Sequence, residues 1–182
     1  MINGKNLNIR PIAERDLDEL ILKLGDIESL GDFLPLALVS ESNCKREYSE
    51  NGFIRESGER YVITSESDSL IGSIWMFRSI PYFDSFELGY HIFENEFRGK
   101  GYATESVSLL SDFVFKSRQV NRLEIRMASD DEVSEKVALR SGFTHEGTSR
   151  EAAFSNGKHH DMHTYSLLRR EWSANKSKHA DL

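Results

Sequence analysis

Cysteine is almost absent from this sequence, since Cys44 is the single one among 182 residues. One cysteine cannot form an internal disulfide, the bond that proteins of oxidising compartments commonly use. No apolar run approaches the ~18 residues that suggest a membrane-spanning helix, and no signal-peptide core follows Met1. We therefore expect a cytoplasmic protein without a membrane segment.

The chain also lacks a surplus of positive charge. Its 23 Lys and Arg residues are outnumbered by 30 Asp and Glu residues, which gives a net charge of −7. Nonspecific binding of nucleic acid needs a basic surface, so direct contact with DNA or RNA is not expected. The composition, 38% hydrophobic and 29% charged, is typical of one globular domain. We place the domain in residues 1–172 and expect a polar, flexible tail over residues 173–182.

Strand-like and helix-like patterns alternate along the chain. Alternating apolar residues predict strands at 7–11, 61–64, 70–77, 86–93, 122–127, 143–147 and 163–168. Apolar residues at helical spacing predict helices at 14–24, 42–57, 101–116 and 132–141. Gly142 is the residue expected where the last of these helices ends, and Asn156-Gly157 predicts a two-residue hairpin turn. Short polar links between the second, third and fourth strands predict an antiparallel meander.

Two glycines flank Lys100 between a predicted strand and a predicted helix, in the segment RGKGYA at residues 98–103. A helix N-terminus presents unpaired N–H groups and partial positive charge, so it binds phosphate well when side chains leave the approach open. Glycines leave it open, and Arg98 and Lys100 add positive charge. A plain strand-to-helix turn is the alternative interpretation. The spacing fits neither the Rossmann glycine motif nor the P-loop.

The same segment, as Arg98-x-x-Gly101-x-Ala103, resembles the pyrophosphate-binding loop of the GNAT superfamily of N-acetyltransferases. Asp131-x-x-Ser134, followed by GFTHEG at 142–147, is similar to the family's Asn-x-x-Ser helix and Gly-Phe-x-x-Glu-Gly segment, with Asp131 where asparagine is usual. The segments ELGY at 87–90 and HHDMHTYSLLRREW at 159–172 resemble the branch that contains the ribosomal-protein alanine and serine N-acetyltransferases. The match runs in order over nearly the whole chain.

The resemblance implies an α+β fold of the GNAT type: a central, mostly antiparallel, strongly twisted sheet of about seven strands flanked by about four helices. It also implies an acyltransferase that uses acetyl-CoA and no metal, in a V-shaped gap beside the strand ending at Phe93. Main-chain groups of Ile92 and Phe93 are expected to pair with pantetheine and polarise the thioester. The acceptor is expected across the sheet, beside residues 26–57. The residues implied to bind acetyl-CoA are Ile92, Phe93, Arg98, Gly99, Lys100, Gly101, Tyr102, Ala103, Thr104, Asp131 and Ser134.

Three side chains are candidates for moving protons in this transfer. Glu87 opens the strand leading to the glycine loop, where partial burial would raise its pKa and suit it to deprotonate the amine, directly or through a water; electrostatic binding of the amine is the alternative. Ser134 would protonate the thiolate or bind pantetheine, or serve only as a first-turn helix residue. Tyr165 is a second proton-donor candidate, with core packing as the alternative. Asp131 can accept hydrogen bonds but cannot donate as an asparagine amide does.

Two further patterns are interpreted as structural. His159, Asp161 and His163 alternate, so they would share one face of a strand and resemble a metal-ligand set. Because this run recurs in the resembling branch, which uses no metal, we interpret it as a hairpin exit near the substrate entrance. Cys44 has no histidine partner in sequence context, and direct transfer needs no acyl-cysteine.

The sequence leaves the acceptor open. A protein N-terminal α-amine, ribosomal or other, and a small-molecule amine such as a polyamine, amino acid or aminoglycoside both fit, because residues 26–57 contain no motif that decides between them. The competing hypothesis from another class is a catalytically silent acetyl-CoA-binding module with a regulatory or interaction role. Glu87 with Ser134 favours the enzyme, and Asp131 keeps the alternative open. Relatives imply a monomer or a homodimer.

Overall fold

One mixed β-sheet organises the molecule, whose computed structural model describes residues 1–34, 36–78 and 80–180. Within these residues the strands are β1 (Ile2–Asn3), β2 (Asn8–Pro11), β3 (Ile54–Arg55), β4 (Gly58–Thr64), β5 (Leu70–Phe77), β6 (Ser85–Ile92), β7 (Arg122–Ala128), β8 (Thr144–Ser155) and β9 (Lys158–Leu168). The strand order is β1-β2-β4-β5-β6-β7-β9-β8, with β3 paired to β4. Every pairing is antiparallel except that of β6 with β7.

Helices cover both faces of the sheet. They are α1 (Leu17–Gly25), α2 (Ile27–Leu30), α3 (Glu41–Asn51), α4 (Tyr102–Ser117), α5 (Glu132–Arg140) and α6 (Arg169–Ala180), with 3₁₀ turns at Glu14–Asp16 and Asn95–Phe97. Along α4, the buried residues Val107, Leu110 and Val114 recur at three- and four-residue spacing, so one stripe faces the sheet. Burying each such side chain stabilises the fold by roughly 1.5–3 kcal/mol. A second, smaller core lies between the sheet and α1.

The architecture confirms the predicted fold class and extends the predicted elements. The seven strands of four or more residues are those predicted, whereas β1 and β3 have two residues each and are too short to show a period. The helix predicted over 42–57 ends at Asn51, because Gly52 takes a left-handed conformation and its N–H donates to Tyr48 O. The pattern over residues 26–40, with Gly31 among apolar residues, predicts a loop or a broken helix, and the short helix α2 lies there.

Local turn signals predicted the chain reversals well. Gly142 has φ 84°, as predicted for the residue that follows the α5 segment. Asn156 and Gly157 have φ 48° and 79°, the pair of positive values that a tight hairpin turn between β8 and β9 requires. Both predictions are confirmed.

The C-terminal segment forms helix α6, which begins before the predicted domain boundary at residue 172 and continues past it. The division into a domain and a tail stays a prediction. Among the described helices, none has the length and apolar character needed to cross a membrane.

Candidate active site

A gap opens between β6 and β7 in the middle of the sheet. The two strands pair only at Ser85–Glu87 with Arg122–Glu124, although both continue for several residues beyond. On its other edge β6 stays paired with β5 as far as Ile92. The second half of β6 therefore has one edge free of strand partners among the described residues, as the predicted V-shaped gap requires.

The hydrogen-bond register identifies which main-chain groups face this gap. The N–H of Phe93 donates to Ile71 O at 3.0 Å, on the β5 side. Because N–H groups alternate between the two edges of a strand, those of Ile92 and Tyr90 point toward the β7 side. Ile92 thus lies where the prediction needed a donor. The N–H of Phe93 is engaged elsewhere, which corrects the expectation that both residues offer their main chain to the thioester.

The glycine loop that follows β6 is open at the start of α4. Gly99 and Gly101 have φ 72° and 86°, and a Cβ at either position would meet no atom within 4 Å. Gly101 is the N-cap of α4 and provides no side chain to bond the free N–H groups of the first turn. Lys100 is exposed beside them. The helix start therefore presents unpaired donors and positive charge to any anion that approaches.

The remaining predicted loop residues connect this helix start to the core. Tyr102 and Ala103 pack against the larger apolar core, and Tyr102 contacts Phe97 edge to face. Thr104 is half-buried, and its carbonyl accepts a hydrogen bond from Ser141 Oγ at 3.4 Å. These contacts fix the position of the loop relative to the sheet.

Arg98 is exposed and bonds main-chain carbonyls at the end of β6 and in α2. Its guanidinium donates to Ile92 O at 3.1 and 3.0 Å and to Ser29 O at 2.6 Å. These carbonyls engage Nε and one terminal nitrogen of Arg98, and its part in phosphate binding stays a prediction. Arg98 joins the end of β6 to α2.

The segment 26–34, which we call the acceptor rim, is held at two points. Ser29 O accepts hydrogen bonds from Arg98 and from His91 Nε2, the latter at 2.9 Å. Asp32 is bonded by the β8–β9 turn, through Ser155 Oγ to its carbonyl at 3.0 Å and Asn156 Nδ2 to its carboxylate at 3.0 Å. The rim is thus fixed to both the glycine loop and the hairpin.

Glu87 lies on the face of β6 opposite α4, at the point where β6 and β7 begin to separate. Its side chain is 15% exposed, and Arg126 donates to it at 2.5 Å. The partial burial that was predicted is present, and the carboxylate is bonded by a guanidinium from the neighbouring strand. Sequence reasoning missed Arg126, which lies on the face of β7 that Glu87 shares.

The Glu87–Arg126 pair is the end of a longer row of alternating charges. Arg126 also bonds Glu124, which is 2% exposed, at 2.7 Å, and Glu124 is bonded by Arg122 at 2.5 Å. Arg122 then pairs with Glu146, which holds the pKa of Glu146 at about 2. The row satisfies the buried carboxylate of Glu124 from both sides.

Ser134 lies in the first turn of α5, as predicted, and Asp131 is the N-cap. The Asp131 carboxylate accepts from Ser134 N at 3.0 Å, a bond that an acidic side chain makes as well as asparagine does. The Ser134 hydroxyl lies beside Tyr90 of β6. Tyr90 is the last residue of the ELGY segment, and the sequence analysis assigns it no role.

Tyr90 places a phenol at the gap. Its hydroxyl oxygen is buried and has no well-aligned hydrogen-bond partner among the described residues. Burial raises the pKa of Tyr90, while the nearby Ser134 hydroxyl lowers it and the charge of Asp131 raises it. The group therefore stays protonated at neutral pH and has a hydrogen available for a ligand.

Tyr165, by contrast, has its hydroxyl committed. The residue is 2% exposed within the core, and its hydroxyl donates to Glu135 Oε1 at 2.6 Å. Burial and this bond raise the pKa of Tyr165 to about 12. The geometry fits the alternative interpretation, core packing, better than proton donation.

His159, Asp161 and His163 each contact a different residue of β8, and His159 packs edge to face on Phe154. His163 Nδ1 contacts Thr148 Oγ1 at 2.7 Å, and Asp161 accepts from Glu151 N at 2.8 Å. Across the described residues, no group of three or more His, Cys, Asp or Glu side chains is arranged to hold a metal ion. Cys44 is half-buried against the smaller core, and burial raises the pKa of its thiol.

A gap beside the end of β6, next to an open, glycine-capped helix start, is the arrangement that the resemblance to the N-acetyltransferases implied. Residues 6–144 match the acetyltransferase (GNAT) domain, so the chain belongs to the GNAT acetyltransferase family. The predicted family is confirmed.

Relatives and solved structures agree with this assignment. "Putative ribosomal N-acetyltransferase YdaF" of Bacillus subtilis (strain 168) is 42% identical over 90 residues, which are 50% of this chain and 49% of the relative. The ribosomal-protein-serine acetyltransferase of Escherichia coli (strain K12) is 29% identical over 136 residues, 74% of this chain and 75% of the relative. These matches support the predicted branch. The crystal structure of spermidine N-acetyltransferase from Vibrio cholerae in complex with CoA and spermine superimposes on this chain with a TM-score of 0.80. The match covers 93% of this chain and 99% of that one at 19% sequence identity, so it shows the shared fold.

Proposed function

We propose that this N-acetyltransferase transfers an acetyl group from acetyl-CoA to a primary amine by direct attack of the amine. The single observation that carries the proposal is that the unpaired edge of β6 leads directly into the open helix start at Gly101. An extended pantetheine arm lies along the strand edge, and the pyrophosphate lies on the N–H groups of residues 98–104. Metal ions take no part.

The chain's own groups divide the proton transfers between the two sides of the gap. Glu87 accepts a proton from the substrate ammonium, directly or through a water, so that the nitrogen lone pair attacks the thioester carbonyl. The N–H groups of Ile92 and Tyr90 donate to the developing oxyanion. As the carbon–sulfur bond breaks, the nitrogen loses its second proton, which neutralises the leaving thiolate, and a hydroxyl of the protein donates a hydrogen bond to that sulfur.

Ser134 and Tyr90 are the donors that the contacts favour for this last step. The two hydroxyls are neighbours, and that of Tyr90 has no competing well-aligned partner among the described residues. Because the pKa of Tyr90 is raised, it stabilises the thiolate as a hydrogen-bond donor rather than as a full acid. Tyr165 remains a weaker candidate, since its hydrogen is bonded to Glu135.

The acceptor is either the α-amine of a protein, ribosomal or other, or a small-molecule amine. Similarity to the ribosomal-protein-serine acetyltransferase favours a protein α-amine. The spermidine N-acetyltransferase has the same fold, so a small-molecule amine is compatible with that fold. A cytoplasmic location, a monomeric or homodimeric state and the absence of nucleic-acid partners belong to the proposal as expected from the sequence.

One observation favours a second candidate function, a catalytically silent acetyl-CoA-binding module. Glu87 is held by Arg126 at 2.5 Å, so its carboxylate already has a partner when an amine approaches. In this case acetyl-CoA binds but no amine is acetylated.

Isothermal calorimetry with acetyl-CoA, followed by thiol release against a panel of amines and N-terminal peptides, tests both candidates. Binding together with thiol release for one class of amine is the expected result. Binding without turnover by any acceptor favours the silent module, and absence of binding overturns the assignment of the glycine loop.

A further inference from the structure

A cavity of about 280 Å³ lies at the far end of the acceptor face, beside the strands that lead to Glu87. Its walls come from α3, β3, β4 and β5, and include Glu47, Phe53, Arg55, Arg60, Trp75 and Phe77. Phe77 is directly opposite Glu87 in the β5–β6 register, and Trp75 is opposite Gly89. The cavity is therefore one strand away from the candidate base.

Arg60 is a cation without a carboxylate partner in this cavity. No carboxylate of the described residues forms an ion pair with it, and its hydrogen bond to Ser73 Oγ is long, 3.4 Å. The two acidic residues of the cavity are already paired, Glu47 with Arg55 and Glu59 with Arg118. Burial lowers the pKa of Arg60, as expected for a desolvated cation that is not fully compensated.

Trp75 connects Arg60 to the catalytic strand. The guanidinium of Arg60 lies 4.5 Å from the centroid of the Trp75 ring. On the other side, the indole covers Gly89 so closely that a Cβ there would approach ring atoms at 2.3 Å. Gly89 lies between Glu87 and His91, whose side chains share this face. The indole therefore lies between the Arg60 guanidinium and Gly89, and Phe77 is the residue opposite Glu87 on the same face.

Ionisable groups lie at both ends of this stretch of the face. Burial is the largest cause that lowers the pKa of His91, and the charges of Arg98 and Arg60 lower it further. Glu87, two strands away from Arg60, supplies a carboxylate that Arg126 bonds from the β7 side. The spacing between strands and the rise along a strand place the Cα atoms of Arg60 and Glu87 on the order of 12 Å apart. Both side chains are long, so the distance between their charged groups is shorter and matches a small molecule that carries an amine and a carboxylate.

We propose that Arg60 and Trp75 form a subsite for an anionic group of the acceptor, so that the substrate is an amine that also carries a carboxylate. This inference rests on the proposed function, because it assumes that the amine binds at Glu87. The carboxylate pairs with Arg60, and the apolar part of the acceptor lies along the edge of the Trp75 ring and against Phe77, which also lines the cavity. A polyamine would place a second cation against Arg60 and is disfavoured.

Binding and turnover of matched acceptors test the subsite. The probes are two amidated tripeptides that differ only in Glu against Gln at the second position, a free amino acid against its amide, and spermidine. Binding is followed by the fluorescence of Trp75 in a Trp172→Phe background with CoA present, and turnover by thiol release. Arg60→Gln removes the cation, Arg60→Lys keeps it, and Arg46→Gln, on the exposed surface of α3, is the control.

Each acidic probe is expected to bind about ten- to hundredfold more tightly than its neutral partner, through a charge-assisted hydrogen bond. Arg60→Gln is expected to remove this preference by raising the KM of the acidic probe, with little change in kcat. Arg60→Lys restores part of the preference, and Arg46→Gln leaves it intact. The peptide and amino-acid pairs distinguish the two sources of the carboxylate.

Equal binding of acidic and neutral probes overturns the subsite, as does tighter binding of spermidine. A preference that survives in Arg60→Gln also overturns it. If the acidic preference is present in binding but no probe is acetylated, the subsite stands and the proposed transferase function fails, so the two failures are distinguishable.

Discussion

The two sides of the β6–β7 gap offer different chemical groups to a ligand. On the α4 side, the groups offered to a ligand are main-chain N–H groups of β6 and of the glycine loop, surrounded by apolar core. On the opposite face, the groups are ionised side chains, in a row from Glu87 to Glu146 and in the cavity beneath Arg60. A main-chain site is altered by changing backbone conformation, whereas a side-chain site is altered by changing charge. The comparison predicts which substitutions affect which substrate.

The largest effect is expected on the charged face. Glu87→Gln removes the candidate base and leaves Arg126 with Glu124, so kcat falls by about 10²- to 10⁴-fold at neutral pH. The acidic limb of the pH–rate profile should flatten, while the Kd for acetyl-CoA stays the same. Steady-state kinetics from pH 5 to 9 check this. Glu50→Gln, an exposed carboxylate on α3, is the control, and an unchanged profile in Glu87→Gln would remove this residue from the mechanism.

The next effect is expected on the main-chain side. Gly101→Ala places a Cβ on a residue with φ 86°, which costs roughly 1–2 kcal/mol and distorts the helix start. Acetyl-CoA should bind about tenfold more weakly, with the acceptor KM unchanged.

Gly157→Ala provides the matched control, because Gly157 has φ 79° in the hairpin turn. It should lose comparable stability in urea unfolding and bind acetyl-CoA normally by calorimetry. Equal weakening of acetyl-CoA binding in both variants would show that strain, not the loop, is responsible.

A smaller effect separates the two tyrosines. Tyr90→Phe deletes a buried hydroxyl without a well-aligned partner among the described residues, so stability should not fall, while kcat decreases up to about tenfold. Tyr165→Phe breaks the bond to Glu135 and should cost about 1.5–3 kcal/mol, with kcat within about twofold of the unaltered chain.

Kinetics and urea unfolding on the same preparations decide between them. The roles of the two tyrosines are reversed if Tyr165→Phe loses activity and Tyr90→Phe loses stability.

Ser134→Ala tests the neighbouring hydroxyl. A raised KM for acetyl-CoA or a reduced kcat is expected, and no change in either would leave Ser134 as a helix residue only.

The smallest effect is a pH dependence of stability at the end of the charge row. The bond to Arg122 lowers the pKa of Glu146 from its ordinary 4.5 to about 2, so its contribution is present above pH 4.5 and is lost as the pH falls toward 2. Because the side chain is 39% exposed, screening reduces this contribution to about 1 kcal/mol or less. Glu146→Gln should flatten the decline in the free energy of unfolding between pH 5 and 3, and Glu66→Gln should not.

The same contrast explains what the sequence could predict. The glycine loop, the Asn156-Gly157 turn and the end of α5 depend on local backbone conformation, and glycine marks such positions directly. The proposed roles of Arg126 and Arg60 depend on their neighbours across the strands, because the register brings residues from four strands onto one face. Arg98 has a suitable charge and position in the chain, yet its partners are carbonyls that only the folded strand end supplies.

The two anchors of the acceptor rim have a consequence for exchanging loops between relatives. Ser29 is tied to His91 and Arg98, and Asp32 is tied to a hairpin turn 123 residues further along the chain. A graft of residues 26–34 alone would keep a main-chain carbonyl for Ser155 but lose the Asp32 carboxylate that accepts from Asn156 Nδ2. A chimera with altered substrate choice should therefore exchange the rim and the turn together, and divergence of this enzyme toward new acceptors is expected to change both segments in concert.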